Sequence, residues 1–149
     1  MELYDASATN LTSHLVNLST RGFVGSGEDV LIPGFVVSHE GPKTVLIRAV
    51  GPGLADVGIP TGFLADPKLT VFVSQNGQSR ELFSNDDWQT AFDPAYTAEI
   101  ANRVGAFPLA SGSKDAALVL TLQPGIYSFH ASGAGDGAGI ALVEVYEVP

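Results

Sequence analysis

At 149 residues the chain is the size of one domain with a buried core. Its 45% hydrophobic and 15% charged residues, with Gly 17 and Pro 9, suit a turn-rich β domain better than a helical bundle. The formal charge of −9, with only 7 scattered basic residues, excludes a basic patch for nucleic acid or an anionic membrane. Cys 0 excludes a disulfide framework and thiolate metal sites.

The first residues, Met1 to Asp5, lack the basic start and apolar run of a signal peptide, so an exported form is expected to be the mature chain. Residues 1–12 are read as an extended N-terminal segment and residues 13–149 as a single β-sandwich domain. Short apolar blocks between turn residues then predict strands at Leu15–Ser19, Gly22–Val24 and Val30–Val37. The next, Thr44–Val50, is so continuous in its apolar run that it is expected to be central and covered on both faces. Gly51 to Pro67 is a long connection with a short helical turn around Leu54–Val57. Strands at Leu69–Ser74 and Arg80–Ser84 flank Asn76-Gly77, a pair that favours hairpin turns with positive φ.

Asp93 is a good N-cap, and Pro94 follows it at the first helical position, where a missing N–H costs nothing. Ala95, Tyr96, Glu99, Ile100, Ala101 and Val104 continue at helical spacing, and Gly105 can end the helix. The last predicted strands are Ala116–Leu122, Ile126–Ala131 and Ile140–Tyr146. Pro124-Gly125 is expected to join the first two as a type II turn, and the glycine-rich run Gly133 to Gly139 to join the last two as a flexible loop. No apolar stretch approaches the roughly 20 residues that span a bilayer.

Several phrases together carry a resemblance. They are Asn17-Leu-Ser-Thr-Arg-Gly22, Val45-Leu-Ile-Arg-Ala-Val-Gly-Pro52, Asn85-Asp-Asp-Trp88, Gly105-Ala-Phe107, Gly112-Ser-Lys-Asp-Ala-Ala-Leu118 and Ala141-Leu-Val-Glu-Val-Tyr146. Over nearly the whole chain they resemble a repeat domain of large secreted bacterial proteins. Leu69-Thr-Val-Phe, Asn76-Gly77, Ser84-Asn-Asp-Asp87 and Leu122-Gln-Pro-Gly-Ile-Tyr127 make the second half similar to the pre-peptidase C-terminal domains, β-sandwich appendages of secreted enzymes. Both resemblances imply an extracellular or cell-surface antiparallel β-sandwich of jelly-roll character. The likeness to a repeat also gives meaning to an internal echo: Glu2, Leu3, Tyr4 and Asp5 match Glu144, Val145, Tyr146 and Glu147 in character. In a tandem array the end of one unit runs into the next, although a four-residue match also arises by chance.

Chemistry is sparse. His14, His39 and His130 stand far apart, no G-x-S-x-G elbow occurs, and Gly25-Ser-Gly27 reads as a turn rather than a phosphate loop. No enzyme is therefore expected. Asn85, Asp86, Asp87 and Asp93 form the densest oxygen-ligand cluster and are the candidate calcium site, without the spacing of an EF-hand. Such clusters more often make Asx turns and caps. Trp88, the one tryptophan, could stack on a glycan if exposed; directly after a turn it more readily plugs the core, with Phe92 and Tyr96 beside it. Asn10 and Asn17 open glycosylation sequons, but the bacterial resemblance argues against their use.

Two function classes follow. The first is a structural module that associates with identical copies or tandem repeats, the strand Glu2 to Asp5 pairing with a neighbour's sheet edge to give a fibre. The second is an accessory module that binds a glycan or another cell-surface polymer, supported by calcium.

Overall fold

The computed structural model describes residues 16–38 and 40–149. The candidate assembly strand Glu2, Leu3, Tyr4 and Asp5, the segment 1–12 that contains it, and His14 and His39 lie outside the described residues. Among the described residues eight strands form the sandwich: β1 (Asn17–Val24), β2 (Gly34–Val37), β3 (Lys43–Val50), β4 (Pro67–Gln75), β5 (Gln78–Asn85), β6 (Ala116–Leu122), β7 (Gly125–Gly133) and β8 (Gly139–Glu147). Sheet A has the order β1-β8-β3-β6 and sheet B the order β2-β7-β4-β5, with every pairing antiparallel. That is the strand order of a jelly roll, as expected.

Alternation along the strands builds the core between the sheets. Val45, Ile47 and Ala49 of β3 meet Leu69, Val71 and Val73 of β4, with Leu118 and Leu120 of β6 and Phe129 of β7 filling the layer. Each such side chain, once buried, contributes about 1.5–3 kcal/mol relative to exposure. The intervening residues of β3, Leu46, Arg48 and Val50, are buried on the opposite face. β3 is therefore covered on both faces, the central strand that its apolar run predicts.

The second cover comes from the long connection between β5 and β6. It carries one helix, α1 (Pro94–Arg103). The Asp93 carboxylate accepts the Tyr96 N–H at 2.9 Å, so the N-cap forms as expected. Gly105, at φ 75°, ends the helix in the left-handed conformation. Thr97, Ile100 and Ala101 form its buried face. Ile100 and Ala101 pack with Trp88 and Ala106 on Leu46 and Ala117 of sheet A, a second small core.

Four expectations need correction. The first two predicted strands are one continuous strand, β1. Gly22 does not break it; its missing side chain makes room for Leu31, whose Cδ2 would lie 3.0 Å from a Cβ there. The strand expected over Val30–Val37 is shortened to Gly34–Val37, because Pro33 has no N–H to offer a ladder; Leu31 keeps only an isolated bridge to Ala131. Pro124-Gly125 is not a type II turn: Gly125 is already in β7, paired with Val37, and has no positive φ. The Gly133 to Gly139 run contains a 3₁₀ turn, Ala134–Asp136, tied by the Ala134 N–H to Asp66 O at 2.8 Å.

The last two corrections share a cause. β6 and β8 belong to sheet A and β7 to sheet B, so both connections are corners between sheets rather than hairpins. Within a sheet, consecutive strands meet only at β4 and β5. There Asn76 (φ 52°) and Gly77 (φ 75°) make the predicted turn with positive φ at both central positions.

Candidate functional site

The residues singled out as a calcium cluster are neighbours in sequence but are given separate tasks. Asn85, at the end of β5, is 7% exposed. Its amide donates to Asp87 O (2.8 Å) and to Thr90 Oγ1 (3.3 Å), and its Oδ1 accepts the Ala117 N–H at 3.1 Å. Asp87 faces Lys114, whose ammonium is 3.5 Å from its Oδ1 and 3.3 Å from Asp66 Oδ2. The hydrogen bond and charge of Asp66, then the charge of Asp87, raise the Lys114 pKa. Asp93 is spent on the helix cap, and only Asp86 projects freely from its loop. Among the described residues no three His, Asp or Glu side chains converge on one point.

Trp88 is 8% exposed, in the second core, and its indole N–H donates to Ala110 O at 3.1 Å. No ring face is open for a sugar. Phe92, expected beside it, is instead fully exposed at 106%, and Tyr96 is 42% exposed. The helix explains this: Thr97, Ile100 and Ala101 define its inner face, and Tyr96 falls outside that stripe.

The buried polar groups are where the sequence reading missed most. Arg48 is 0% and Glu144 5% exposed. Arg48 Nε donates to Glu144 Oε2 at 2.9 Å, and its Nη1 to Phe107 O at 2.6 Å. Nη2 lies 2.8 Å from the same Oε2 but outside hydrogen-bonding alignment. The guanidinium sits 4.4 Å over the Phe107 ring, and the Tyr146 hydroxyl donates to Glu144 Oε1 at 2.8 Å. Burial, then that hydrogen bond and the carboxylate charge, push the Tyr146 phenol up to about 12.

Asp115 is a second buried anion, at 0% exposure. It accepts the N–H groups of Gly51 (2.8 Å) and Gly53 (3.1 Å) at the start of the 3₁₀ turn Pro52–Val57, and the Ser113 hydroxyl at 2.8 Å. Its own carbonyl accepts the Trp88 backbone N–H at 2.7 Å. Nearly all the phrases that carry the repeat resemblance thus supply one of two buried polar networks, Arg48, Phe107, Glu144 and Tyr146 in the first and Gly51, Asn85, Trp88 and Asp115 in the second. A signal existed in the sequence. Arg48 and Glu144 are opposite charges inside otherwise apolar strands, and such charges stay buried only when paired.

What the molecule leaves open lies at its margins. One end of the sandwich carries two depressions, of about 480 and 370 Å³, that share Lys68 and Asp86. Along sheet A, nothing among the described residues covers the outer edge of β1.

Comparison with known proteins places the fold. No protein-family model and no curated protein sequence matches the chain. Among solved structures it is similar to the 1.0 Å crystal structure of the pre-peptidase C-terminal domain of a collagenase from Bacillus anthracis. The TM-score is 0.50 at 14% identity, over 87% of this chain and 89% of that one. The chain therefore has the β-sandwich fold of a pre-peptidase C-terminal domain, and at this identity the likeness is one of fold alone. No helix among the described residues is long and apolar enough to cross a membrane.

Proposed function

We propose that this chain is a non-catalytic accessory module of an extracellular protein, and that it associates with further copies of itself or with tandem repeats through the edge of β1. The observation that carries the reading is how differently the four sheet edges are treated. Exposed edges invite pairing with other chains, and natural proteins blunt them. β2 has only 4 residues and follows Pro33. β5 bulges at Leu82, where its register shifts against Val71 and Phe72 of β4, and carries Arg80 and Glu81. β6 is capped by Asn85 and roofed by the Trp88 segment. β1 has 8 regular residues paired with β8, without proline or bulge and with Arg21 as its one charge.

The alternation of an antiparallel ladder identifies its free groups. Glu147 N donates to Val16 O at 2.8 Å, which sets the even-numbered residues of β1 toward β8. Asn17, Ser19, Arg21 and Phe23 then turn their N–H and C=O groups outward. The strand proposed to meet them is Glu2, Leu3, Tyr4 and Asp5 of a neighbouring copy. It echoes the part of β8 that already pairs with β1, where Glu144 lies opposite Ser19 and Tyr146 opposite Asn17. Such a contact is heterologous and grows into a fibre unless its rotation closes a ring.

The test is sedimentation velocity over a concentration series. Arg21→Pro removes one outward N–H and leaves the ladder to β8 intact. The full chain should show concentration-dependent assembly; Arg21→Pro, and deletion of residues 1–12, should sediment as folded monomers. A full chain that stays monomeric at every concentration contradicts the reading.

A further inference from the structure

The two depressions at the end of the sandwich form, in our reading, a ligand site that is independent of the β1 edge: we propose that they bind a neutral glycan chain. Both linings are more polar than apolar, and they differ in what they add. The smaller adds two aromatic rings, Phe83 (47% exposed) and Phe92 (106% exposed), beside Ser84 and Thr90. The larger is polar and backbone-rich, formed by the Gly25-Ser-Gly27 turn, Ser132 and the Gly133 to Asp136 corner. Lys68 and Asp86 stand where the two meet, and among the described residues neither makes an ion pair or side-chain hydrogen bond.

That combination fits a sugar polymer. A pyranose has an apolar C–H face that packs on an aromatic ring and a rim of hydroxyls that need donors and acceptors. Phe83 and Phe92, both exposed on one depression, present such ring faces together. The unpaired Lys68 and Asp86 supply one donor group and one acceptor group with no net charge between them. Asp136, at the far end, adds a carboxylate and disfavours phosphate or an acidic polymer. An extended peptide is the weaker fit, because main-chain recognition needs a regular edge and the nearest one, β5, is bulged.

The experiment is titration calorimetry of the full chain, at concentrations where it is monomeric, with neutral oligosaccharides. The probes are β-1,4-glucan, β-1,4-linked N-acetylglucosamine, α-1,4-glucan and β-1,4-mannan oligomers at millimolar concentration. At least one should bind saturably. Phe92→Ala and Asp86→Ala should each weaken it about tenfold or more, while Val36→Ser, on the bare face of sheet B, should leave it unchanged. All three positions are exposed, and an unchanged Trp88 emission spectrum will show that each variant is folded. Absence of binding by every sugar overturns the proposal. So does binding indifferent to both Phe92 and Asp86, or binding of an extended neutral peptide in place of sugar. Each outcome is read without reference to assembly.

Discussion

The two margins of sheet A are built in opposite ways. From the β6 margin the chain inserts a long excursion that caps the Ala117 N–H with Asn85 and seats Trp88 and α1 as a roof on the outer face of sheet A, where the Arg48–Glu144 pair and, separately, Asp115 on the Gly51 and Gly53 N–H groups are buried. At the β1 margin it places a plain eight-residue strand with exposed Asn17, Ser19, Arg21 and Phe23 and nothing described beyond it. The sequence phrases that look most distinctive belong to the closed margin. Their buried charges are hydrogen-bonded within the fold, which is a folding requirement. The open margin is plain in composition, and function is proposed there.

Substitutions at the closed margin should have the largest effects. Arg48→Met strands the Glu144 carboxylate in the interior and should cost about 3–5 kcal/mol in a denaturant titration. Replacing Arg48 and Glu144 together by apolar residues should recover much of that loss, which separates a stranded charge from a packing defect. Trp88→Ala, which empties part of the second core, should cost a similar ~3–5 kcal/mol. In the folded protein Trp88 should emit blue-shifted light that moves red on unfolding. Asn85→Ala leaves the Ala117 N–H without its partner and should cost about 1–3 kcal/mol.

The pH dependence is directional. The Tyr146 phenol keeps its proton in the fold up to about 12, whereas the unfolded phenol releases it near 10.0. The native state therefore binds more protons across that interval, and stability falls as pH rises from about 10 to 12. Thermal melts of the wild type should show that alkaline decline, and Tyr146→Phe should flatten it. Substitutions on the open margin should do least: Ser19→Ala and Arg21→Ala should change stability by less than about 0.5 kcal/mol, with circular dichroism melts as the check.

The same contrast shows what could be read from the sequence. The central position of β3, the Asn76-Gly77 hairpin and the Asp93-Pro94 cap are local signals, and the structure bears each out. Sheet membership is not local. Pro124 and the Gly133 to Gly139 run each mark a reversal without stating whether the next strand joins the same sheet, so two corners read as hairpins. Residues 85–93 read as one oxygen cluster because they are adjacent in sequence. A strand end, a loop, a 3₁₀ turn and a helix cap then send their side chains apart. The exposure of Phe83, and of Phe92, expected beside Trp88, could not be read locally, because it depends on where α1 and the edge of sheet B end.

Amide hydrogen exchange, read residue by residue along β1 at low and high protein concentration, tests the central claim most directly. In dilute solution Leu18 and Thr20, whose N–H groups face β8, should be protected, and Ser19 and Arg21 should exchange freely. At high concentration Ser19 and Arg21 should become protected as a neighbour's strand covers the edge. Free exchange of these two at every concentration, or protection already present in the dilute monomer, would contradict an edge kept open for assembly.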